Sequence, residues 1–253
     1  MGSNGVKEKL MKECVGKVLS SNKYGDFKII KYISANEVLV KFLKTGTEVW
    51  CTKKNAFDGS VKDKYFPTIY GVGYYGNALP KRSCPKTERA YNVWIKMISR
   101  CYNVESIQFK DYSDCSVSEN FASFEYFSTW YLSQIGSDKN NWQLDKDLLI
   151  KGNRLYSEDT CCLVPPEINT LLTRHTKNSV TCKGVFYNKK LGKFSAHLLG
   201  KYIGLFNTEL EAFYVYKQAK EAYIKEVANK WKDQIDVRLY NSLINWEISF
   251  DDK

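Results

Sequence analysis

The sequence predicts an α+β protein with a small N-terminal β-barrel, a central helical unit that includes a strand–strand–helix segment, and a C-terminal three-stranded antiparallel sheet on one helix. Three observations predict this class. β-branched and aromatic runs cluster before residue 70, aromatic residues then recur at helical spacing, and a capping box begins a long helix near the C-terminus. The predicted boundaries are 1–78 (barrel with an N-terminal extension), 79–178, 179–235 and a C-terminal extension, 236–253.

Composition narrows the class of partner. The 253 residues carry a formal charge of +10, and 43% of them are hydrophobic. A basic balance favours a polyanionic partner, with nucleic acid ahead of a membrane surface. No apolar run approaches the roughly 18 to 20 residues of a membrane span. The polar N-terminus lacks the apolar core of a secretion signal.

The eight cysteines show no CxxC spacing, and only two histidines accompany them. A structural zinc site needs about four convergent ligands. Cys101, Cys115 and Cys161 fall in the central unit, so a zinc cluster stays open as an alternative. Buried free thiols in a reducing cytosol are the expected state.

The N-terminal region reads as short strands. The runs Phe27–Tyr32, Glu37–Phe42 and Glu48–Thr52 are β-branched and aromatic, with turn residues between them. Several strands over so few residues are typical of a small SH3-like barrel, which can bind nucleic acid, a peptide or nothing. The glycine-rich run 71–76 is not expected to bind phosphate, because no parallel strand–helix–strand frame surrounds it.

Two amphipathic helices are predicted next. Apolar residues recur every three or four positions from Thr87 to Tyr102, and again from Phe121 to Tyr131. Ser118 or Asn120 is the expected N-cap of the second helix. Helical spacing accounts for both aromatic stripes, so we expect them to form core and not a surface that stacks on bases.

A strand, a turn, a second strand and a helix are predicted from Leu144 to Asn169. The turn is at Gly152–Asn153, and the helix begins at Pro165–Pro166, where a proline lacks only an N–H that would be unpaired anyway. A carboxylate on the first strand and an amide on the helix can together hold one metal ion.

This segment, with Arg100-Cys101-Tyr102 upstream, resembles the HNH nucleases of phages and mobile elements. The resemblance implies that Asp145 on the first strand and Asn169 on the helix bind Mg²⁺ or Mn²⁺, with Asp147 as a further ligand. It also implies a bacterial cytoplasm. In such nucleases a histidine next to the aspartate is the general base that activates water.

Two positions depart from that pattern. Lys146 stands where the family has the base histidine, and Thr160 where it usually has asparagine. One interpretation is a scaffold retained for DNA binding, with cleavage impaired or lost. The alternative is an active homing-type endonuclease or nickase, in which the metal alone activates water or Lys146 acts as the base after losing its proton.

The charge pattern changes after the predicted metal site. No carboxylate occurs between Glu167 and Glu209, whereas this interval holds seven cations, Arg174, Lys177, Lys183, Lys189, Lys190, Lys193 and Lys201. A stretch of strands with this composition predicts a surface that meets phosphate groups.

The same interval predicts three strands, 183–187, 193–199 and 202–206, followed by a helix from Glu209 to about Lys232 that Thr208 and Glu211 cap. It resembles the AP2/ERF DNA-binding domain in Gly184-Val185, Gly192–Ala196, Leu205–Thr208 and Glu211-Ala212. The resemblance implies that the exposed face of the sheet enters the major groove of double-stranded DNA.

Strand alternation assigns the two faces of this sheet. Phe194, Ala196 and Leu198 are expected to pack on the helix, which leaves a predicted DNA-binding set of Phe186, Asn188, Lys189, Lys190, Lys193, Ser195, His197 and Lys201. His197 is interpreted as a base or phosphate contact and not as a metal ligand. A third hypothesis, from another class, is a phage factor that binds a host protein through the N-terminal barrel. The sequence leaves the oligomeric state open.

Overall fold

The computed structural model describes residues 13–78, 84–172, 181–182 and 184–250. The protein is a mixed α+β structure that divides into two compact units, Met1–Trp130 and Tyr131–Lys253. Within the described ranges, no helix has both the length and the apolar composition needed to cross a membrane.

The first unit begins with an antiparallel four-stranded sheet in the order β1-β2-β3-β4, followed by a short helix, α1. The elements are β1 (Val18–Ser21), β2 (Gly25–Ser34), β3 (Glu37–Phe42), β4 (Glu48–Cys51) and α1 (Lys53–Phe57). One face of the sheet is apolar and fully buried, and it carries Phe27, Ile29, Val38, Val40 and Phe42. The period-2 pattern that predicted these strands therefore also identified the buried face.

The four strands form an open sheet, so the prediction of a closed barrel was wrong for the part of the chain that the structure describes. β1 and β4 are its two edges. Ala56 of α1 and Val61 are buried in the same core as the sheet residues, and the Ser21 hydroxyl donates to the Val61 carbonyl oxygen at 2.8 Å. A short helix and a loop thus cover the apolar face that barrel closure would otherwise bury.

The remaining elements of the first unit are α2 (Pro85–Tyr102), α3 (Phe109–Tyr112), β5 (Ser116–Val117), α4 (Glu119–Ala122) and the beginning of α5 (Phe124–Ser133). The single helix predicted over 121–131 is interrupted at Ser123. There the Tyr74 N–H donates to the Ala122 carbonyl at 3.0 Å, and the Phe124 N–H donates to the Tyr74 carbonyl at 2.8 Å. Backbone groups of Ala122 and Phe124 therefore bond to Tyr74, in the glycine-rich run 71–76, and not to another turn of one continuous helix.

The second unit contains a short hairpin followed by a helix: β6 (Gln143–Asp145), β7 (Leu155–Tyr156), β8 (Cys162–Val164) and α6 (Pro166–Leu171). β6 and β8 are antiparallel, with Asp145 opposite Cys162. We call β6, β8, α6 and the chain between them the Asp145 hairpin. Its apolar strand β8 is fully buried.

The second unit also contains a three-stranded antiparallel sheet, order β11-β10-β9, packed on a 23-residue helix α7. The elements are β9 (Val185–Asn188), β10 (Lys193–Leu198), β11 (Lys201–Phe206), α7 (Glu209–Trp231) and a last helix α8 (Val237–Ile244). The predicted capping box is present. The Glu211 N–H donates to the Thr208 hydroxyl at 3.3 Å, and the Thr208 N–H donates to the Glu211 carboxylate at 3.1 Å.

Helix α7 belongs to two hydrophobic cores at once. Its N-terminal half contributes Ala212, Phe213 and Tyr216 to the core under the three-stranded sheet. Its C-terminal half contributes Ile224, Val227 and Ala228 to a core shared with the Asp145 hairpin and α8. One helix thus joins two segments that the sequence predicted as separate regions.

Lys220 lies between the two cores and links α7 to the end of α6. Its side chain is buried, and its ammonium donates to the Leu171 carbonyl oxygen at 2.8 Å. The last carbonyls of a helix have no partner inside the helix, so this bond satisfies a group that would otherwise be costly to bury.

Candidate nucleic-acid interface

The hydrogen-bond register of the sheet separates a helix-facing side from an outer side. Val185, Ala196 and Gly204 form one row that faces α7. The next row, Phe186, Ser195 and Leu205, must face the opposite way because side chains alternate along a strand. Phe186 is 56% exposed. The predicted division of faces agrees with this register.

A β-bulge places a further aromatic residue on the outer side. The register of β10 and β11 shifts between Ala196 and His197, so His197 pairs with Tyr202. As a result Tyr202 and Leu205, three positions apart, both lie on the outer side, where strict alternation would separate them. Tyr202 is 61% exposed. Sequence reasoning missed both residues, because a bulge leaves no clear pattern in the sequence.

The centre of the outer side is apolar and aromatic. The His197 ring packs edge-on against Phe186 at 5.2 Å and against Tyr202 at 5.6 Å between ring centroids. The Ser195 hydroxyl donates to the Phe186 carbonyl at 3.2 Å, and it lies 3.2 Å from Nε2 of His197. The Ser195 hydroxyl and Nε2 of His197 therefore have partners on this side of the sheet. We call Phe186, Ser195, His197, Tyr202 and Leu205 the central strip.

Cations stand at both ends of the central strip. Lys189, Lys190 and Lys193 lie at the β9–β10 hairpin, and Lys201 lies at the start of β11, beside the other turn. Lys193 begins β10, and Lys201 pairs with Leu198, which is five residues further along β10, a separation of about 17 Å. All four lysines are exposed, and no ion pair joins them to a carboxylate in the described part of the chain.

Asn188, a predicted DNA contact, serves the hairpin turn. Its side-chain oxygen accepts the backbone N–H groups of Lys190 at 3.1 Å and Leu191 at 3.3 Å. This is a local turn that asparagine commonly stabilises. Of the seven cations in the carboxylate-free interval, Arg174, Lys177 and Lys183 lie outside the described residues, as does His175.

The side chain of the predicted catalytic aspartate, Asp145, is hydrogen-bonded to the backbone of the residues that follow it. Oδ1 of Asp145 accepts the N–H groups of Asp147 at 2.9 Å and Leu148 at 2.8 Å. Burial, together with the charge of Asp147, raises the pKa of the Asp145 carboxyl to about 6, against the lowering effect of the two N–H bonds. The carboxyl therefore has a local structural role and a reduced tendency to ionise.

Lys146, at the position expected for the general base, is only 5% exposed. Its ammonium lies 3.4 Å from the Asp147 carboxylate and 5.8 Å from the centre of the Tyr156 ring. Its carbonyl accepts the Asn153 side-chain amide at 2.7 Å, which ties the turn back to the first strand. Thr160 is also internal, because its hydroxyl donates to the Leu155 carbonyl at 2.6 Å.

Asn169 reaches the first strand two residues before Asp145. Its amide nitrogen donates to the Gln143 side-chain oxygen at 2.9 Å. Gln143 and Asp145 share one face of β6 because they are two positions apart. The polar contact that joins the helix to the strand is therefore an amide pair, on the face of β6 that also carries Asp145.

Asp145 and Asn169 supply only part of the ligand set that a divalent cation needs. Mg²⁺ prefers about six oxygen ligands near octahedral positions. Oδ1 of Asp145 is bonded to two backbone N–H groups, and the nitrogen of the Asn169 amide is bonded to Gln143. In the ranges that are described, no group of three or more His, Cys, Asp and Glu side chains could hold a metal ion.

All eight cysteines are free thiols. Burial raises the pKa of Cys161 to about 12, and it raises the pKa of the neighbouring Cys162 as well. In the absence of a metal ion, thiols with a raised pKa stay protonated at neutral pH.

Comparisons with protein-family models, with curated protein sequences and with solved structures gave no match.

Proposed function

We propose that this chain binds double-stranded DNA through the outer side of its three-stranded sheet, and that the Asp145 hairpin is a nuclease-like scaffold whose cleavage is impaired or lost. One observation carries the proposal. The outer side has lysines at both ends, and no carboxylate is present in the 41 positions from 168 to 208 that include it.

The dimensions of the sheet suit a major groove. Three strands span about 10 Å, and the major groove of B-form DNA is about 12 Å wide. The lysines at the two ends are about 17 Å apart along β10. If the sheet lies in the groove with its outer side toward the bases, Lys190 and Lys201 can reach phosphates while the central strip lies over the base edges. Such contacts give salt-dependent affinity without sequence preference.

The geometry of the Asp145 hairpin supports the second half of the proposal. A nuclease of the HNH type needs an ionised metal ligand and a general base beside it. Here the ligand position holds a carboxyl that burial shifts toward its protonated form, and the base position holds the ammonium of Lys146. Removal of a general base costs about 10²- to 10⁴-fold in rate.

Binding to a random-sequence 30-base-pair duplex, measured over a range of salt concentrations, tests DNA binding. The Lys190→Ala/Lys193→Ala double variant is expected to weaken binding and to reduce the slope of log affinity against log salt by about 2, because each phosphate contact contributes about 0.9. Lys225→Ala/Lys232→Ala is the matched control, since it removes the same charge from outside the sheet. Equal slopes in the two double variants would contradict the assignment of the interface.

Incubation of the same duplex with Mg²⁺, Mn²⁺ or EDTA tests cleavage separately. We expect shifted bands on native gels and intact strands on denaturing gels in all three conditions. New ends that need metal and disappear in Asp145→Ala would establish the alternative, an active endonuclease or nickase. Cleavage that persists in Asp145→Ala would place the catalytic site elsewhere.

A further inference from the structure

The outer side of the sheet offers bases an apolar surface and few hydrogen-bonding groups. Phe186, Tyr202 and Leu205 are exposed, and they lie on two of the three strands, around the His197 ring. A contiguous exposed apolar patch with a polar rim is typical of an interaction site. The strip itself contains no Asp, Glu, Lys or Arg, and the exposed lysines lie at its two ends.

Two polar side chains at the centre of the strip, Ser195 and His197, lie within hydrogen-bond distance of each other. The Ser195 hydroxyl is bonded to the Phe186 carbonyl and is within reach of His197. The arginine, asparagine and glutamine side chains that form bidentate bonds with guanine and adenine do not occur in the strip. Direct readout by hydrogen bonds is therefore a poor fit to these residues.

Only one base-pair component offers an apolar group in the major groove. Thymine carries a C5-methyl group there, whereas the other base edges present hydrogen-bond donors and acceptors. A methyl group placed against Phe186, Tyr202 or Leu205 loses water from apolar surface on both sides, which is favourable. The lysines at the two ends supply the phosphate contacts that would hold the strip over the base edges.

We propose that the central strip recognises thymine methyl groups in the major groove, so that this chain selects its DNA by apolar contact. This inference rests on the proposed DNA-binding function. Each methyl group buried against the strip is expected to change the affinity by about fourfold. Two or three such contacts would therefore give a preference of roughly tenfold or more for duplexes rich in thymine.

Replacement of thymine by uracil isolates the methyl group, because uracil keeps every hydrogen-bonding atom of thymine. The full chain is titrated with two A·T-rich 30-base-pair duplexes of one sequence, one with thymine and one with uracil at every position. We expect the uracil duplex to bind at least fourfold more weakly. A third duplex, with uracil and 5-methylcytosine, returns methyl groups to the groove and is expected to recover part of the loss.

Single substitutions then assign the effect to the strip. Phe186→Ala and Tyr202→Ala are expected to bind the thymine and uracil duplexes with nearly equal affinity. Both side chains are more than half exposed, so the fold should persist, and circular dichroism and thermal unfolding would verify it. Tyr187→Ala is the matched control. Tyr187 is a neighbouring aromatic residue, 49% exposed, that pairs with helix-facing Phe194 and should leave the thymine preference unchanged.

The outcomes separate this inference from the function on which it depends. Equal binding of the thymine and uracil duplexes by the unaltered chain would overturn methyl recognition and leave DNA binding intact. Binding of neither duplex would overturn the proposed function itself. Tighter binding of the isolated thymine strand than of the duplex would also overturn the inference, because it would assign the strip to stacking on unpaired bases.

Discussion

The Asp145 hairpin and the three-stranded sheet pack on the same helix, yet they use their polar groups in opposite ways. In the hairpin, the side chains of Asp145, Asn153 and Asn169 all bond to groups within the hairpin itself. In the sheet, four exposed lysines surround a strip of exposed rings. The hairpin resembles a metal site in its sequence, but these polar side chains bond to groups within the hairpin. The sheet instead leaves its charged side chains exposed.

The difference shows why residue types alone are weak evidence that the hairpin is a metal site. A carboxylate and an amide at the right spacing predict a metal site only if their oxygen atoms remain available to a ligand. The backbone N–H groups that follow Asp145 bond to one carboxylate oxygen, and burial raises the pKa of the carboxyl. Function in this unit is therefore better assigned to groups whose charge remains at the surface.

Shortening a buried side chain of helix α7, which the two regions share, is expected to have the largest effect on stability. Ile224 is fully buried in the core between α7 and the hairpin. Ile224→Ala should lower the free energy of unfolding by about 2–5 kcal/mol, through lost burial and the cavity that remains. Hydrogen exchange should accelerate in both β8 and β10. Faster exchange in β8 alone would show that the two regions unfold independently, and exposed Tyr214→Ala on the same helix is the control.

A substitution at Gly184 is expected to damage the sheet and spare the hairpin. Gly184 has a φ of +78°, and a Cβ atom there would lie 2.2 Å from the Tyr216 ring. Gly184→Ala therefore combines strain of about 1–2 kcal/mol with overpacking of about 1–3 kcal/mol. We expect weakened DNA binding and a lower unfolding temperature.

Gly200 provides the matched control for that experiment. Its φ is +79°, and a Cβ atom there would have no neighbouring atom within 4 Å, in contrast to Gly184. Gly200→Ala should carry the backbone strain alone, about 1–2 kcal/mol. If both variants lost equal stability in urea unfolding, close approach of β9 to α7 would not explain the need for glycine at position 184.

Asp145→Asn tests whether the hairpin carboxyl is structural. The pKa of Asp145 rises from an ordinary value of 3.8 to about 6 on folding, so between these pH values the folded chain holds a proton that the unfolded chain has released. Stability must then fall as pH rises through this window, by up to about 3 kcal/mol. The asparagine variant should be more stable than the unaltered chain above pH 6 and equal to it near pH 4, as measured by urea unfolding.

The same variant distinguishes a structural aspartate from a metal ligand. If Asp145 bound Mg²⁺ in the folded state, millimolar Mg²⁺ would raise the unfolding midpoint of the unaltered chain and leave that of Asp145→Asn unchanged. We expect no difference between the two responses. Asp147→Asn should not reproduce the gain in stability, because it also removes the carboxylate that lies 3.4 Å from the buried Lys146 ammonium.

Local signals predicted the elements well, and long-range packing accounts for what they missed. The alternation in 27–42 and the capping box at Thr208 gave strands and a helix start within one or two residues of those observed. The interruption at Ser123 depends on hydrogen bonds from Tyr74, almost 50 positions away. No local pattern shows a helix that two cores share, and the bulge after Ala196 changes which residues of β11 face outward.

The smallest expected effect is at the cap of α7, and it measures how far the two regions are coupled. Thr208→Ala removes the hydroxyl that accepts the Glu211 N–H, at a cost of about 1 kcal/mol. Because the first helical turn can open locally, amides near Ala212 should lose protection while amides near Val227 keep theirs. Thr208→Ser retains the hydroxyl and should behave like the unaltered chain. Equal loss along the whole helix would mean that the sheet and the hairpin open together, so that a ligand held by the sheet would also stabilise the hairpin.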